Sequence, residues 1–182
     1  MKAVTTLPYG RALTRDDLAS LPDDGHRYEL LDGALIVTPA PSPAHQRAVL
    51  RLGAALLAEA PRQLDVMVAP LDVVLDDSTV LQPDILVAPR AAFTRRDLPV
   101  APTLAVEVLS PSTRRVDVVL KHDRYRAAGC ASYWVVDPDE PSILAWQLAA
   151  TAYVEVGHAE GSQALELTEP FPLRIVPADL VR

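Results

Sequence analysis

The spacing of apolar and polar positions divides the chain into alternating helical and extended segments. Thr14, followed by Asp16, Asp17 and Leu18, predicts an N-capped short helix that ends near Pro22. The stretch HRYELLDGALIV reads as two strands, 26–31 and 34–38, joined by the hairpin dipeptide Asp32-Gly33. Ser42 predicts the cap of a helix from about Pro43 to Ala60, with Pro43 in its first turn. On it Val49, Leu52, Leu56 and Leu57 recur at helical spacing and are expected to face the core. Strands follow at about 64–75 and 80–87, separated by Asp76-Asp77-Ser78, and Pro70 makes the first of them irregular or an edge. A short helix is expected at 91–96. TLAVEVLS is an apolar run broken by one carboxylate, the pattern of a central strand buried on both faces. A helix from about 113 to 128 is stopped by Gly129, and SYWVVDP gives a further strand ending at Asp137-Pro138. Residues 142–176 predict two or three short antiparallel strands, and Asp179-Leu180 a last helical turn. This order predicts an α/β fold: a mixed central sheet flanked by helices, with a β-rich C-terminal tail.

Composition sharpens the picture. At 182 residues and 49% hydrophobic, the chain suits one folded domain, and no disordered or fibrous reading is needed. No apolar run approaches the roughly 18 residues that span a bilayer, and MKAVTTLPYG lacks the pattern of a secretory signal. The lone Cys130 permits no intrachain disulfide, so a reducing cytoplasmic setting is expected. Its neighbours Gly129 and Ala131 suggest a small buried residue in a helix-to-strand corner. The net charge of −7 argues against a nucleic-acid partner, but phosphate binding needs only a local patch. Basic residues do cluster, as Arg90, Arg95 and Arg96, then Arg114, Arg115, Lys121, Arg124 and Arg126. Solvated helix and loop faces explain such clusters equally well. Of the 17 basic residues only Lys2 and Lys121 are lysines, so an interior lysine invites a chemical reason.

Two carboxylates stand where burial is predicted. Asp84 follows Pro83 in QPDILVAP, and Glu107 lies between Val106 and Val108. An ionised carboxylate taken from water needs a partner, and an arginine ion pair or an exposed edge would supply one. If the two strands are neighbours, the acids converge at one end, and a cation between them relieves their repulsion. Oxygen donors suit Mg²⁺, with Mn²⁺ as a substitute, and no cysteine pair or spaced histidine set favours zinc. Asp117, Lys121 and Tyr125 fall at i, i+4 and i+8 of the following helix, a stripe able to turn back toward that strand end. An ordinary Asp117–Lys121 pair accounts for part of the same pattern.

With RYELLDG, SPAHQ, QPDILVAP, AVEVLSPSTRRVD, the stretch from Lys121 to Tyr125 and AGCASYWVVDP in this order, the chain resembles the PD-(D/E)XK nuclease superfamily. Within that restriction-endonuclease-like fold it is most similar to the bacterial Uma-type branch, over roughly residues 14–180. The resemblance implies one such domain over 1–182, with 1–13 as an N-terminal extension. Pro83-Asp84 matches the PD element and Glu107 the second acid. The lysine expected two positions after that acid is Leu109 here, and the resemblance transfers its place to Lys121. Glu29 matches an acid drawn toward the site, although a solvent-facing hairpin glutamate is an equal alternative. His45 matches too, against a helix-cap or packing role; Ser110, Ser112 and Thr113 match the turn, where capping alone explains them. Tyr125, Tyr133 and Trp134 are expected in the core.

The implied activity is metal-dependent endonuclease cleavage of nucleic acid, DNA above all. Asp84, Glu107 and the Val108 carbonyl would hold Mg²⁺, Lys121 and Glu29 would complete the catalytic set, and Arg114, Arg115 and Arg124 would hold the phosphate backbone. The alternatives are a catalytically silent nucleic-acid-binding or regulatory module on a nuclease scaffold, or a structural domain whose acids form ion pairs. The β-rich tail offers a surface for a homodimer.

Overall fold

The computed structural model describes residues 8, 10–22, 24–111 and 114–182, so Ser112 and Thr113 lie outside the described residues. The first helix, α1 (Arg15–Ala19), starts where Asp17 accepts a hydrogen bond from the Thr14 N–H at 2.8 Å. Strands β1 (Arg27–Leu31) and β2 (Ala34–Thr38) form the predicted hairpin, with Leu31 opposite Ala34. Asp32 and Gly33 turn it at φ 53° and 75°, the left-handed pair that a two-residue hairpin requires. Helix α2 (Pro43–Glu59) is capped by the Ser42 hydroxyl, which accepts from the His45 N–H at 3.2 Å. Ala48, Leu52 and Leu56 are its buried stripe. Leu57, expected inside, is 65% exposed, because one residue past Leu56 is a turn of about 100° away from that stripe.

Both long strands expected in the middle of the chain are divided. The first becomes β3 (Leu64–Val68) and β4 (Asp72–Asp76); the second becomes β5 (Thr79–Leu81) and β6 (Ile85–Pro89). Pro70 and Pro83 cannot donate to a ladder, and the Gln82 N–H is spent on the Glu29 carboxylate at 2.7 Å. The helix expected at 91–96 is a single 3₁₀ turn at Arg90–Ala92, followed by β7 (Asp97–Leu98). There Thr94 donates to Asp97 at 2.6 Å and closes the segment into a turn instead.

After β8 (Leu104–Val108) the expected helix is a π-helical turn, Val116–Lys121, that passes into α3 (His122–Ala127). Then come β9 (Ser132–Asp137), β10 (Ser142–Ala149), β11 (Ala152–Glu160), β12 (Leu165–Leu167), β13 (Leu173–Ile175) and α4 (Pro177–Val181). The fold is α/β, as predicted, but the strands form two main sheets where one was expected. Five strands run in the order β2-β1-β5-β4-β7 and six in the order β11-β10-β9-β8-β6-β3, with β12-β13 as a separate hairpin. The six-stranded sheet is mixed: β8 and β9 are parallel, while β6 and β8 are antiparallel. The tail has four strands, more than expected, and its β10 and β11 extend the six-stranded sheet.

Period-two alternation decides which face each side chain takes. Ile85, Val87, Leu104, Val106, Val108, Trp134 and Val136 pack against α2 and the β12-β13 hairpin. The intervening Leu86, Ala88, Ala105, Leu109, Tyr133 and Val135 turn the other way, toward Leu31, Val73 and Leu81 of the five-stranded sheet and Tyr125 of α3. Both faces of β6, β8 and β9 are therefore covered, which is why these strands read as apolar runs. Cys130 sits buried in the corner after Gly129 (φ 82°), and burial pushes its thiol up to about 12.

Candidate active site

Asp84 and Glu107 share the parity of the face that looks at the five-stranded sheet. Ile85 is paired with Val106, so the two acids stand at the same end of neighbouring strands. Glu29, two residues before Leu31 on β1, projects from the opposing sheet into the same layer. The π-helical turn delivers Asp117 and Lys121 to it from a fourth segment. All five residues are buried, Glu29 and Glu107 completely.

Lys121 is the hub of one half of this cluster. Its Nζ lies 2.9 Å from Glu29 Oε1, 3.2 Å from Glu107 Oε1 and 3.4 Å from Asp117 Oδ1. Burial alone would lower its pKa, but Glu107, Glu29 and Asp117 outweigh burial and raise it, so the ammonium stays charged. Glu107 is pushed the other way: burial lifts its pKa well above the ordinary value despite Lys121, with Asp117, Asp84 and Glu29 adding like charge. The Oε2 atoms of Glu29 and Glu107 are buried and have no hydrogen-bond partner among the described residues.

Asp84 forms the other half. Its Oδ2 accepts from the Val108 N–H at 2.8 Å and lies 3.2 Å from His45 Nε2, which must carry the proton toward a carboxylate. Its Oδ1 accepts from Arg27 Nη1 at 2.8 Å. Burial would raise the Asp84 pKa, yet His45, Arg27 and the Val108 amide together hold it below its usual value. A cleft of about 830 Å³ opens here; Arg27, His45, Gln82, Asp84 and Val108 line it, while Glu29, Glu107 and Lys121 lie behind its wall.

The structure thus brings together Asp84, Glu107, Lys121 and Glu29, four residues singled out in the sequence, with the Val108 backbone beside Asp84. Glu29 faces the cluster and not solvent. His45 does more than begin a helix, since its ring reaches Asp84. Tyr125, Tyr133 and Trp134 are core residues, as expected. Two of the three arginines expected to hold phosphate are tied to acids: Arg114 to Asp137, and Arg124 to Asp32. Sequence reasoning missed Arg27 and the Gln82 amide. Arg27 carried a signal, because it sits two residues before Glu29 on one strand and so shares its face.

The fold defines the class: this is a restriction-endonuclease-like α/β protein. The chain belongs to the Uma2 family, whose description is "Putative restriction endonuclease" and whose model matches residues 15–179. A solved structure of "a putative nuclease belonging to DUF820" from Anabaena variabilis aligns with a TM-score of 0.76 at 20% identity, covering 93% of this chain and 97% of that one. At that identity the likeness speaks for the fold. No curated protein matches the chain. Among the described residues, no helix is long and apolar enough to cross a membrane.

Proposed function

We propose that this protein is a metal-dependent endonuclease that hydrolyses phosphodiester bonds, with DNA as substrate and Mg²⁺, replaceable by Mn²⁺, as its ion. The observation that carries the reading is the meeting of Asp84, Glu107, Glu29 and Lys121 beside an open cleft, at one end of two neighbouring strands. The family description and the nuclease named for the Anabaena variabilis structure point the same way.

The donor set fits a hard divalent cation. A buried carboxylate oxygen without a hydrogen bond is costly, and among the described residues Glu29 and Glu107 each have one. Among the described residues no three His, Cys, Asp or Glu side chains form a metal cage by themselves. Asp84 and Glu107 would therefore hold the ion with the Val108 carbonyl and with water, which Mg²⁺ usually retains. Bound there, the ion supplies Lewis-acid polarisation of the phosphate and a more acidic water. Lys121, fixed by Glu29 and Asp117 behind the cleft wall, would offset through Glu107 the negative charge that grows beside the ion in the transition state. His45 and the Val108 amide hold the Asp84 carboxylate in one orientation.

The competing reading, a catalytically silent nucleic-acid-binding or regulatory module, draws on the sealing of Lys121 behind the cleft wall. Plasmid DNA and a structured RNA, each incubated with Mg²⁺ or Mn²⁺, separate the two. Wild type is expected to cut DNA, and Asp84→Asn and Glu107→Gln to leave it intact while remaining folded. Undiminished cleavage by the double variant would exclude this site. A homodimer through the tail is supported by β11, the edge strand of the six-stranded sheet, where Val154 and Val156 are exposed. Sedimentation equilibrium tests it, and a purely monomeric chain would end that part of the reading.

A further inference from the structure

Asp84 has two carboxylate oxygens, and they are held very differently. Oδ2 is fixed from inside the fold by the Val108 amide and His45, whereas the partner of Oδ1 among the described residues is Arg27 Nη1. The oxygen left for an incoming ion is therefore the one that a guanidinium already occupies. Resting on the metal-site reading above, we infer that Arg27 is the resident cation of the metal-free site, and that a divalent ion binds by displacing its guanidinium from Asp84 into the cleft.

The seating of Arg27 is that of an exchangeable group. A permanent arginine–carboxylate pair tends to use the fork of two parallel hydrogen bonds. Arg90 and Asp65 show such a fork in this protein, with contacts of 2.7, 3.1 and 3.2 Å. Arg27 instead makes a single hydrogen bond to Asp84, and its Nε is 3.7 Å from Glu29 Oε2, too far for a second. That Nε and that Oε2 are both buried and, among the described residues, neither makes a hydrogen bond, although they face one another as an ion pair. The site holds an arginine without satisfying it.

Lys121 behaves in the opposite way. Three carboxylate oxygens lie within 3.4 Å of its Nζ, its side chain is 1% exposed, and it does not reach the cleft. Arg27 is 19% exposed and lines the cleft, so its guanidinium has somewhere to go. Charge gives the exchange a direction. Four acids, Glu29, Asp84, Glu107 and Asp117, face the two full cations Lys121 and Arg27. Replacing a single positive charge by a double one reduces the negative excess that remains. Without metal, the guanidinium keeps Asp84 and Glu29 from repelling one another across the two sheets.

Calorimetric titration of Mn²⁺ into the metal-free full chain tests this directly, using wild type, Arg27→Met and, as a control for removing a surface guanidinium, Arg90→Met. Giving up a charge-assisted hydrogen bond lowers affinity, so Arg27→Met is expected to bind Mn²⁺ at least about tenfold more tightly than wild type, and Arg90→Met to be unchanged. Should Arg27→Met not fold, the wild-type protein still decides: Mg²⁺ is expected to move the Arg27 Nε–Hε resonance to the position of a solvent-exposed arginine. Tight ion binding that leaves that resonance in place, or equal affinity in Arg27→Met, overturns the displacement and spares the metal site. Absence of ion binding in every protein overturns both.

Discussion

Lys121 fills a pocket whose walls are carboxylates, and its removal separates a structural contribution from a chemical one. Lys121→Met keeps much of the volume but leaves Glu29, Glu107 and Asp117 without their shared cation. Breaking a buried pair from one side costs about 3–5 kcal/mol, so Lys121→Met should lose roughly that much stability in EDTA by urea unfolding. Adding Glu107→Gln removes one of the stranded carboxyl groups and should return part of the loss; additive losses would show that the two do not interact. Lys121→Arg should fold better than Lys121→Met yet fail to cut DNA, because a planar fork cannot stand where a compact ammonium does. Tyr125 makes the reverse case. Its hydroxyl is buried without a hydrogen-bond partner among the described residues, so Tyr125→Phe should be neutral or stabilising by up to about 1 kcal/mol in thermal unfolding. A loss of more than that would mean the hydroxyl has a role in holding the acids. At this scale the sequence was most legible where a residue violated its surroundings. A carboxylate inside an apolar strand and one interior lysine among arginines were visible without coordinates. Arg27 was legible only through its place two residues before Glu29, because arginine is the ordinary basic residue of this chain and its type drew no notice.

Elements were legible where a local signal fixed them. The Asp32-Gly33 hairpin and the Ser42 cap fall where their residues place them, since each depends on neighbours within four positions. Gly33 is needed twice over: it has φ 75°, and a Cβ there would fall 2.5 Å from the Ala12 Cβ and 3.0 Å from the Ala12 Cα. Gly33→Ala should therefore cost well above the roughly 1 kcal/mol of a simple left-handed penalty, read as a lowered urea midpoint with unchanged slope. A cost at or below that figure would show that the segment before α1 moves aside freely. Segments 64–75 and 80–87 were less legible, because pattern alone does not say that a strand leaves one sheet for another at a proline. The π-helical turn at Val116–Lys121 was not legible at all. Helical spacing grouped Asp117 with Lys121 correctly, but the wider turn that leaves Val119 and Leu120 half exposed has no marker in the residues themselves.

Across the whole molecule, the candidate site lies in the layer between two sheets, and no single sheet contains it. Glu29 comes from the five-stranded sheet, Glu107 from the six-stranded one, Asp84 from the position just ahead of its strand β6, and Lys121 from the turn that follows β8. Such a placement follows from register, which the sequence states only as parity: whether Asp84 and Glu107 share a face depends on Ile85 meeting Val106. It also couples the ion to the fold, because the acids it would join, Asp84 and Glu107, are adjacent only when β6 and β8 are paired. An ion that binds the native state alone stabilises it by mass action, about 2.7 kcal/mol at a hundred times its dissociation constant. Mg²⁺ should therefore raise the midpoint of thermal unfolding, and EDTA should return it. The chain carries a net charge of −7, so any salt will relieve some repulsion, and the comparison must be made at matched ionic strength. Under that condition wild type should keep a divalent-specific increment, and Glu107→Gln should lose it while keeping the response to NaCl. If NaCl stabilises wild type as much as MgCl₂ does, the effect is screening, and Asp84 and Glu107 form no seat for the ion.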